Sequence, residues 1–206
     1  MHQTNFGSIF ACKCCVIVFK GLDVNYFLFR VSIRFFKVSL DLFADEHNAV
    51  VSRYASLYPD NKCAFVNAFS VDVKDESIYM YPPFALRDIS IRRFIHARKM
   101  IYLHHEFDGS NYHSVMLSRL FDYRILIGGR YAPCVLTPSM KNTKDGYYRP
   151  YSEPKFTYLY FKGYSSLSVQ YLSNELILCS ISSIPSLLQH WKNLHRYPYL
   201  FTVHKL

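Results

Sequence analysis

Asp41-Leu42-Phe43-Ala44-Asp45-Glu46-His47-Asn48-Ala49, Asn67-Ala68-Phe69-Ser70 and Ile78-Tyr79-Met80-Tyr81-Pro82-Pro83-Phe84-Ala85-Leu86 are the blocks on which the reading of the fold turns. Each follows or contains a short apolar run that stops at a polar or turn residue. Val38-Ser39-Leu40 leads into Asp41, Ala64-Phe65-Val66 into Asn67, and Ile78-Tyr79-Met80 into Tyr81-Pro82-Pro83. Short apolar runs ended in this way suit buried parallel strands. In an open α/β sheet the ligand crevice lies outside the carboxyl ends of such strands. The sequence therefore predicts that the ends near Asp41, Asn67 and Tyr81 meet at one crevice.

Outward from these blocks, the chain alternates strand and helix signals. Strands are expected over Val38 to Phe43, Lys62 to Val66 and Ile78 to Met80, with Asp45 to Ser56 leaving the sheet. Val24 to Phe36 carries both a strand alternation and a helical face. Tyr58-Pro59-Asp60-Asn61 is a turn, because Pro presets φ and Asp and Asn tolerate tight backbone geometry. Phe84 to Lys99 reads as a helix with Leu86, Ile89, Phe94 and Ile95 inward and a basic stripe of Arg87, Arg92, Arg93, Arg98 and Lys99 outward. Met100 to Leu103 is a strand ending in His104-His105-Glu106. Asp108 to Asn111 turns and caps a helix through Phe121. Tyr123 to Ile127 is a strand, and Gly128-Gly129-Arg130 a turn. This alternation predicts an α/β sheet with right-handed crossovers. Beyond Pro138, Lys141 to Pro154 reads as a long loop or linker, Lys155 to Phe161 as a strand, and the apolar stretches after Leu167 carry no period that types them.

The chain has 206 residues, half of them apolar, with 18 Tyr and 17 Phe. That composition supports one sizeable core and argues against dominant disorder. The formal net charge of +9 favours a polyanionic partner, DNA first and RNA next. Cys12, Cys14 and Cys15 crowd together, but their spacing fits no zinc knuckle or ribbon, so no metal site is expected. Adjacent His104 and His105 on a strand would point to opposite faces and not share an ion. Reduced thiols are the default reading, which places the protein inside a cell, in nucleus or cytoplasm. Arg30, Arg34 and Lys37 break the most apolar stretch, so no membrane span is expected.

The ordered set Asp41-Leu42-Phe43-Ala44, Asn48-Ala49, Asn67-Ala68-Phe69-Ser70 and Tyr81-Pro82-Pro83-Phe84 resembles the phage-type (Dam-like) DNA N-6-adenine methyltransferases, and in particular the Dam-like domain of DIRS-type retrotransposons. The resemblance spans roughly residues 38 to 136. It implies a Rossmann-like S-adenosylmethionine-dependent methyltransferase fold over residues 24–138, after a lead-in over 1–23 read as disordered or unformed. Residues 139–206 would form a C-terminal extension with a strand and a helix of undefined packing. It further implies that Asp41, Phe43, Ala44, Asn67 and Ala68 approach the cofactor S-adenosylmethionine, and that Tyr81, Pro82, Pro83 and Phe84 form the catalytic turn. A Pro-Pro turn is rigid and offers carbonyls without competing donors, and the aromatic residue after it can stack on a flipped base.

The pattern departs from the family at two polar positions. Tyr81 stands where the methyltransferases have Asn, Asp or Ser, and Asn67 where they usually have Asp. A phenol oxygen lies farther from the backbone than a carboxamide oxygen, and its hydroxyl is also a donor. The alternative expectation is thus a catalytically inactive remnant of the same domain that binds nucleic acid or another partner.

Overall fold

Leu40, Ile78 and Met100 sit side by side on three neighbouring strands, each fully buried, and the architecture is built outward from them. The computed structural model describes residues 32–106, 111–129, 139–141, 148–150, 156–171 and 203–206. Its main sheet contains β1 (Leu40–Asp41), β4 (Ser77–Met80), β5 (Lys99–Glu106), β9 (Phe156–Lys162), β6 (Tyr123–Gly129) and β10 (Val203–Lys205), in that spatial order. The first three strands run parallel. β9 is antiparallel to both of its neighbours, and β10 is antiparallel to β6. β9 lies beyond residue 138 in sequence yet between β5 and β6 in space, so the sheet draws on both sides of that position.

On the other flank of β1 stands a parallel pair, β2 (Ala55–Ser56) and β3 (Phe65–Val66). It joins β1 through the parallel bridge Asp41↔Tyr54, with the Asp41 N–H donating to the Arg53 carbonyl at 3.1 Å and the Ala44 N–H to the Ala55 carbonyl at 3.2 Å. The chain therefore steps outward from β1 to β2 and β3, then returns past β1 to β4. A hairpin of β7 (Ser139–Lys141) and β8 (Tyr148–Pro150) pairs separately.

Both faces of the sheet are covered, which is why β4 and β5 read as nearly continuous apolar runs. On one face α1 (Arg87–Phe94) and α2 (Asn111–Leu120) press Ile91, Phe94 and Leu117 onto Met80, Met100, Tyr102 and Tyr160. On the other, Ile33 and Phe36 beside the helical residues 32–35, and Tyr164 and Val169 around the helical residues 166–171, cover Tyr79, Ile101, Leu159 and Phe161. Each fully buried aliphatic or aromatic side chain contributes roughly 1.5–3 kcal/mol.

The structure corrects several sequence readings. Ala55 and Ser56 do not leave the sheet: they form β2, a two-residue strand too short to show a period. The strand expected over Lys62 to Val66 is confined to Phe65–Val66, because Asp60 gathers Lys62 and Cys63 into its turn by accepting their N–H groups at 2.9 and 2.6 Å. The helix expected from Phe84 to Lys99 begins as a 3-10 turn over Phe84–Leu86 and ends at Phe94. Its inward face is Arg87, Ser90, Ile91 and Phe94, while Ile89 is exposed. Arg87 therefore leaves the basic stripe for the interior. Gly128 and Gly129 do not turn: they continue β6 past a register shift against β9, a place where glycine suits an irregular strand. The stretch Val24 to Phe36 is helical at residues 32–35. The cap expected at Asp108 to Ser110 lies outside the described residues, as do the lead-in over 1–23 and every cysteine except Cys63.

Gly163 closes β9 with φ +78°, its N–H donating to the Asp122 carboxylate at 2.7 Å. A Cβ at this position would collide with the Arg98 carbonyl oxygen. Gly163→Ala should therefore lower stability by about 2 kcal/mol or more, from left-handed backbone strain plus the clash. Urea unfolding of the variant checks this, and an unchanged midpoint would refute the tight β9 exit.

Candidate functional site

Where a chain steps outward from one strand in one direction and then returns past it to the other side, the two loops diverge and leave a crevice at the carboxyl ends. Here that point lies between β1 and β4, whose ends carry Asp41 and Tyr81. The pairing continues past β1 itself, since the Leu42 N–H donates to the Tyr79 carbonyl at 3.1 Å. Phe43 and Ala44 follow at once, Phe43 half-buried and Ala44 buried.

Asp41 is 2% exposed, and its carboxylate is used internally. Oδ1 accepts the Phe43 N–H at 3.3 Å and Oδ2 the Val50 N–H at 3.1 Å, so the side chain ties the loop after β1 back onto its own strand. Burial pushes its pKa up to about 7 against the opposing pull of these two donors. Asp41 shapes the loop that would meet a cofactor, with its carboxylate turned to that task.

The Tyr81-Pro82-Pro83-Phe84 turn splits its groups between structure and crevice. The Pro83 carbonyl accepts the Leu86 N–H at 2.8 Å and closes the 3-10 turn. It is thus not an open acceptor, contrary to the expectation that both prolines offer theirs. Among the described residues, none donates to the Pro82 carbonyl. Phe84 is 43% exposed, and the Arg87 guanidinium stacks on its ring 3.8 Å from the centroid. That contact is a cation–π pair, and it fixes the ring at the mouth of the site.

The Tyr81 hydroxyl reaches across to β5, where it lies 2.8 Å from Nε2 of His105. Nδ1 of the same ring lies 2.9 Å from Oγ1 of Thr157 on β9. His105 and Thr157 are 2% and 1% exposed. This Tyr81–His105–Thr157 chain escaped the sequence reading, which weighed His104-His105-Glu106 only as metal ligands. Thr157 could not be linked to it, because nothing local shows that β9 inserts beside β5. His104 faces the opposite side of the sheet, packed between Tyr102 and Tyr160 near the buried start of α1. Its two ring nitrogens, the Tyr102 hydroxyl and Ser90 Oγ are buried without a hydrogen bond to any described residue.

Asn67 stands at φ +66°, where its Oδ1 accepts the Phe69 N–H at 3.1 Å and caps the Ala68–Ser70 turn. Asn is among the few non-glycine residues that adopt positive φ readily. Ala68 is buried behind it, and Phe69 touches Phe43 with ring centroids 6.0 Å apart, linking the second block to the first. Arg92, Arg93 and Arg98 are exposed, but they lie toward the end of α1 that leads into the amino end of β5, away from the crevice. Among the described residues no helix is long and apolar enough to cross a membrane.

The buried groups set the acid response. Burial, with the nearby Arg87 charge, pushes His104 down to about 2 and His105 down to about 3, from an ordinary value of 6.5. Below pH 6.5 the unfolded chain takes up two protons that the folded chain refuses, which destabilises the fold. Asp41 acts the other way: between its unfolded value of 3.8 and its folded value near 7 the folded chain holds one proton that the unfolded chain releases. From pH 6.5 down to about 4.5 the net is one proton, so stability should fall by roughly 1.4 kcal/mol per pH unit. Asp41→Asn removes the offset, and the slope should about double. Urea unfolding across this window reads both slopes, and a flat profile would contradict the buried neutral histidines. No protein-family model matches the chain, and no curated protein matches it.

Proposed function

We propose that this chain is a Dam-like DNA N-6-adenine methyltransferase domain of the DIRS-element type, with a Rossmann-like fold that transfers a methyl group from S-adenosylmethionine to an adenine amine. The observation that carries this reading is the neighbouring of the β1 and β4 ends at the point where strand order reverses, with Asp41-Leu42-Phe43-Ala44 on one side and Tyr81-Pro82-Pro83-Phe84 on the other. The small buried residues Ala44 and Ala68 suit close approach of a cofactor on the β1–β3 side. S-adenosylmethionine, when bound, supplies an activated methyl on a sulfonium. The protein then has to hold an amine in line with it and accept its hydrogen. The Pro82 carbonyl fits that acceptor role, and Phe84 provides a ring at the mouth for an extruded base. The formal net charge of +9 supports a nucleic-acid partner.

A second reading, a catalytically inactive remnant that binds nucleic acid or another partner, draws on a specific observation. Asp41, Asn67 and Tyr81 all spend polar atoms on partners within the chain. Calorimetry with S-adenosylmethionine and transfer of labelled methyl to adenine-containing DNA separate the two. The methyltransferase reading expects both binding and transfer; DNA binding with neither leaves the remnant. Base stacking is worth about 1–3 kcal/mol, so Phe84→Ala should weaken DNA binding about five- to over a hundredfold and leave cofactor affinity unchanged. Unaltered DNA affinity in that variant would remove Phe84 from the site.

A further inference from the structure

We infer that Thr157, acting through His105, turns the Tyr81 hydroxyl into a hydrogen-bond donor at the crevice, which with the Pro82 carbonyl as acceptor recognises the amine and adjoining ring nitrogen of an aminated base. The inference rests on the reading of the crevice as a base site, and it assigns that site its hydrogen-bonding sense.

The argument begins at the buried end. Thr157 Oγ1 has His105 Nδ1 as its one hydrogen-bond partner and is 1% exposed. A hydroxyl carries one proton. If Nδ1–H donated to Oγ1, the threonine proton would be buried without an acceptor, which is costly. If Thr157 donates to Nδ1 instead, every proton in the pair is used. His105, kept neutral by its burial, then carries its single ring proton on Nε2. Nε2–H therefore donates to the Tyr81 oxygen at 2.8 Å. The phenol proton cannot also lie on that bond, so it is directed elsewhere than His105. Tyr81 is half-buried at the end of β4, beside the crevice.

Two residues thus present opposite polarities in sequence: a donor at Tyr81 and an acceptor at Pro82. Adenine shows the complement, an amine beside the unprotonated ring nitrogen N1, and cytosine shows the same pair. Hypoxanthine and uracil show a carbonyl beside a ring N–H, which repels both. A carboxamide or carboxylate at position 81 would address the amine alone. Tyr81 addresses its neighbour, and His105 and Thr157 are positioning residues for that contact.

The experiment uses the full chain with S-adenosylmethionine in excess, so that the cofactor side is filled. Long-range proton–nitrogen spectra of labelled protein should show His105 protonated at Nε2 and bare at Nδ1. Adenosine should bind about tenfold tighter than 1-deazaadenosine, which keeps the amine and lacks the ring nitrogen. Tyr81→Phe should erase that difference while the 1-deazaadenosine affinity stays within about twofold of wild type. Thr157→Ser, which keeps the hydroxyl, should retain the wild-type tautomer and ratio. A His105 protonated at Nδ1, or equal binding of the two nucleosides by wild type, overturns the inference alone. If neither nucleoside binds while His105 shows the expected tautomer, the base-site reading itself fails and takes the recognition with it.

Discussion

The parallel pairing of β1 with β4 is the constraint on which the rest depends. It is short, Leu40 against Ile78 and Asp41 against Tyr79, yet it joins the two halves of the sheet. Without it the β2–β3 pair would have no attachment to the main sheet, and Asp41 would have no reason to be buried. Its strength does not come from its few backbone bonds. Leu40, Leu42, Ile78 and Met80 are all fully buried under the helical layer, so the apolar contacts hold the strands in register. A one-residue slip would turn Tyr79 toward the α1 face and Ile78 toward the other, exchanging both cores at once.

Burial at that junction also explains the electrostatics. A carboxylate placed where two apolar strands meet needs internal donors, and the loop from Phe43 to Val50 folds back to supply two backbone N–H groups. The same low-polarity surroundings keep His104 and His105 neutral on opposite faces of β5. The carboxyl end of the sheet is therefore polar in composition while its apolar packing lies toward the amino end. α1 repeats the gradient along its length: Arg87 and Ser90 face inward near its start, Ile91 and Phe94 near its end.

That gradient marks what the sequence could reveal. The runs at Leu40, Ile78–Met80 and Met100–Leu103 were legible because each is apolar on both faces and ends at a turn residue. The phase of α1 was not, because apolar periodicity assumes that buried positions are apolar, and Arg87 and Ser90 are buried while Ile89 is not. β2 was missed because two residues carry no period. The insertion of β9 between β5 and β6 is a long-range pairing with no local signature, and with it went the link from Thr157 to His105. Within the site, the strand-end blocks were readable as positions, but the partners of their polar atoms were not.

The two departures from the methyltransferase pattern follow from these same local demands. Asn67 has to cap a 3-10 turn at positive φ, and Asn meets both requirements: its carboxamide accepts the Phe69 N–H, and it tolerates the left-handed region better than most residues. Tyr81 has to bridge the spacing between adjacent strands to reach His105 Nε2, a reach that a short carboxamide side chain on β4 does not have. Each substitution is matched by a partner elsewhere in the fold: the Phe69 backbone for one, the His105–Thr157 pair for the other. Chance loss at a decaying site removes a group without supplying a partner for its replacement. A buried imidazole with hydroxyls on both nitrogens is a costly arrangement to leave half-satisfied, so its completeness argues that position 81 is fitted as a tyrosine.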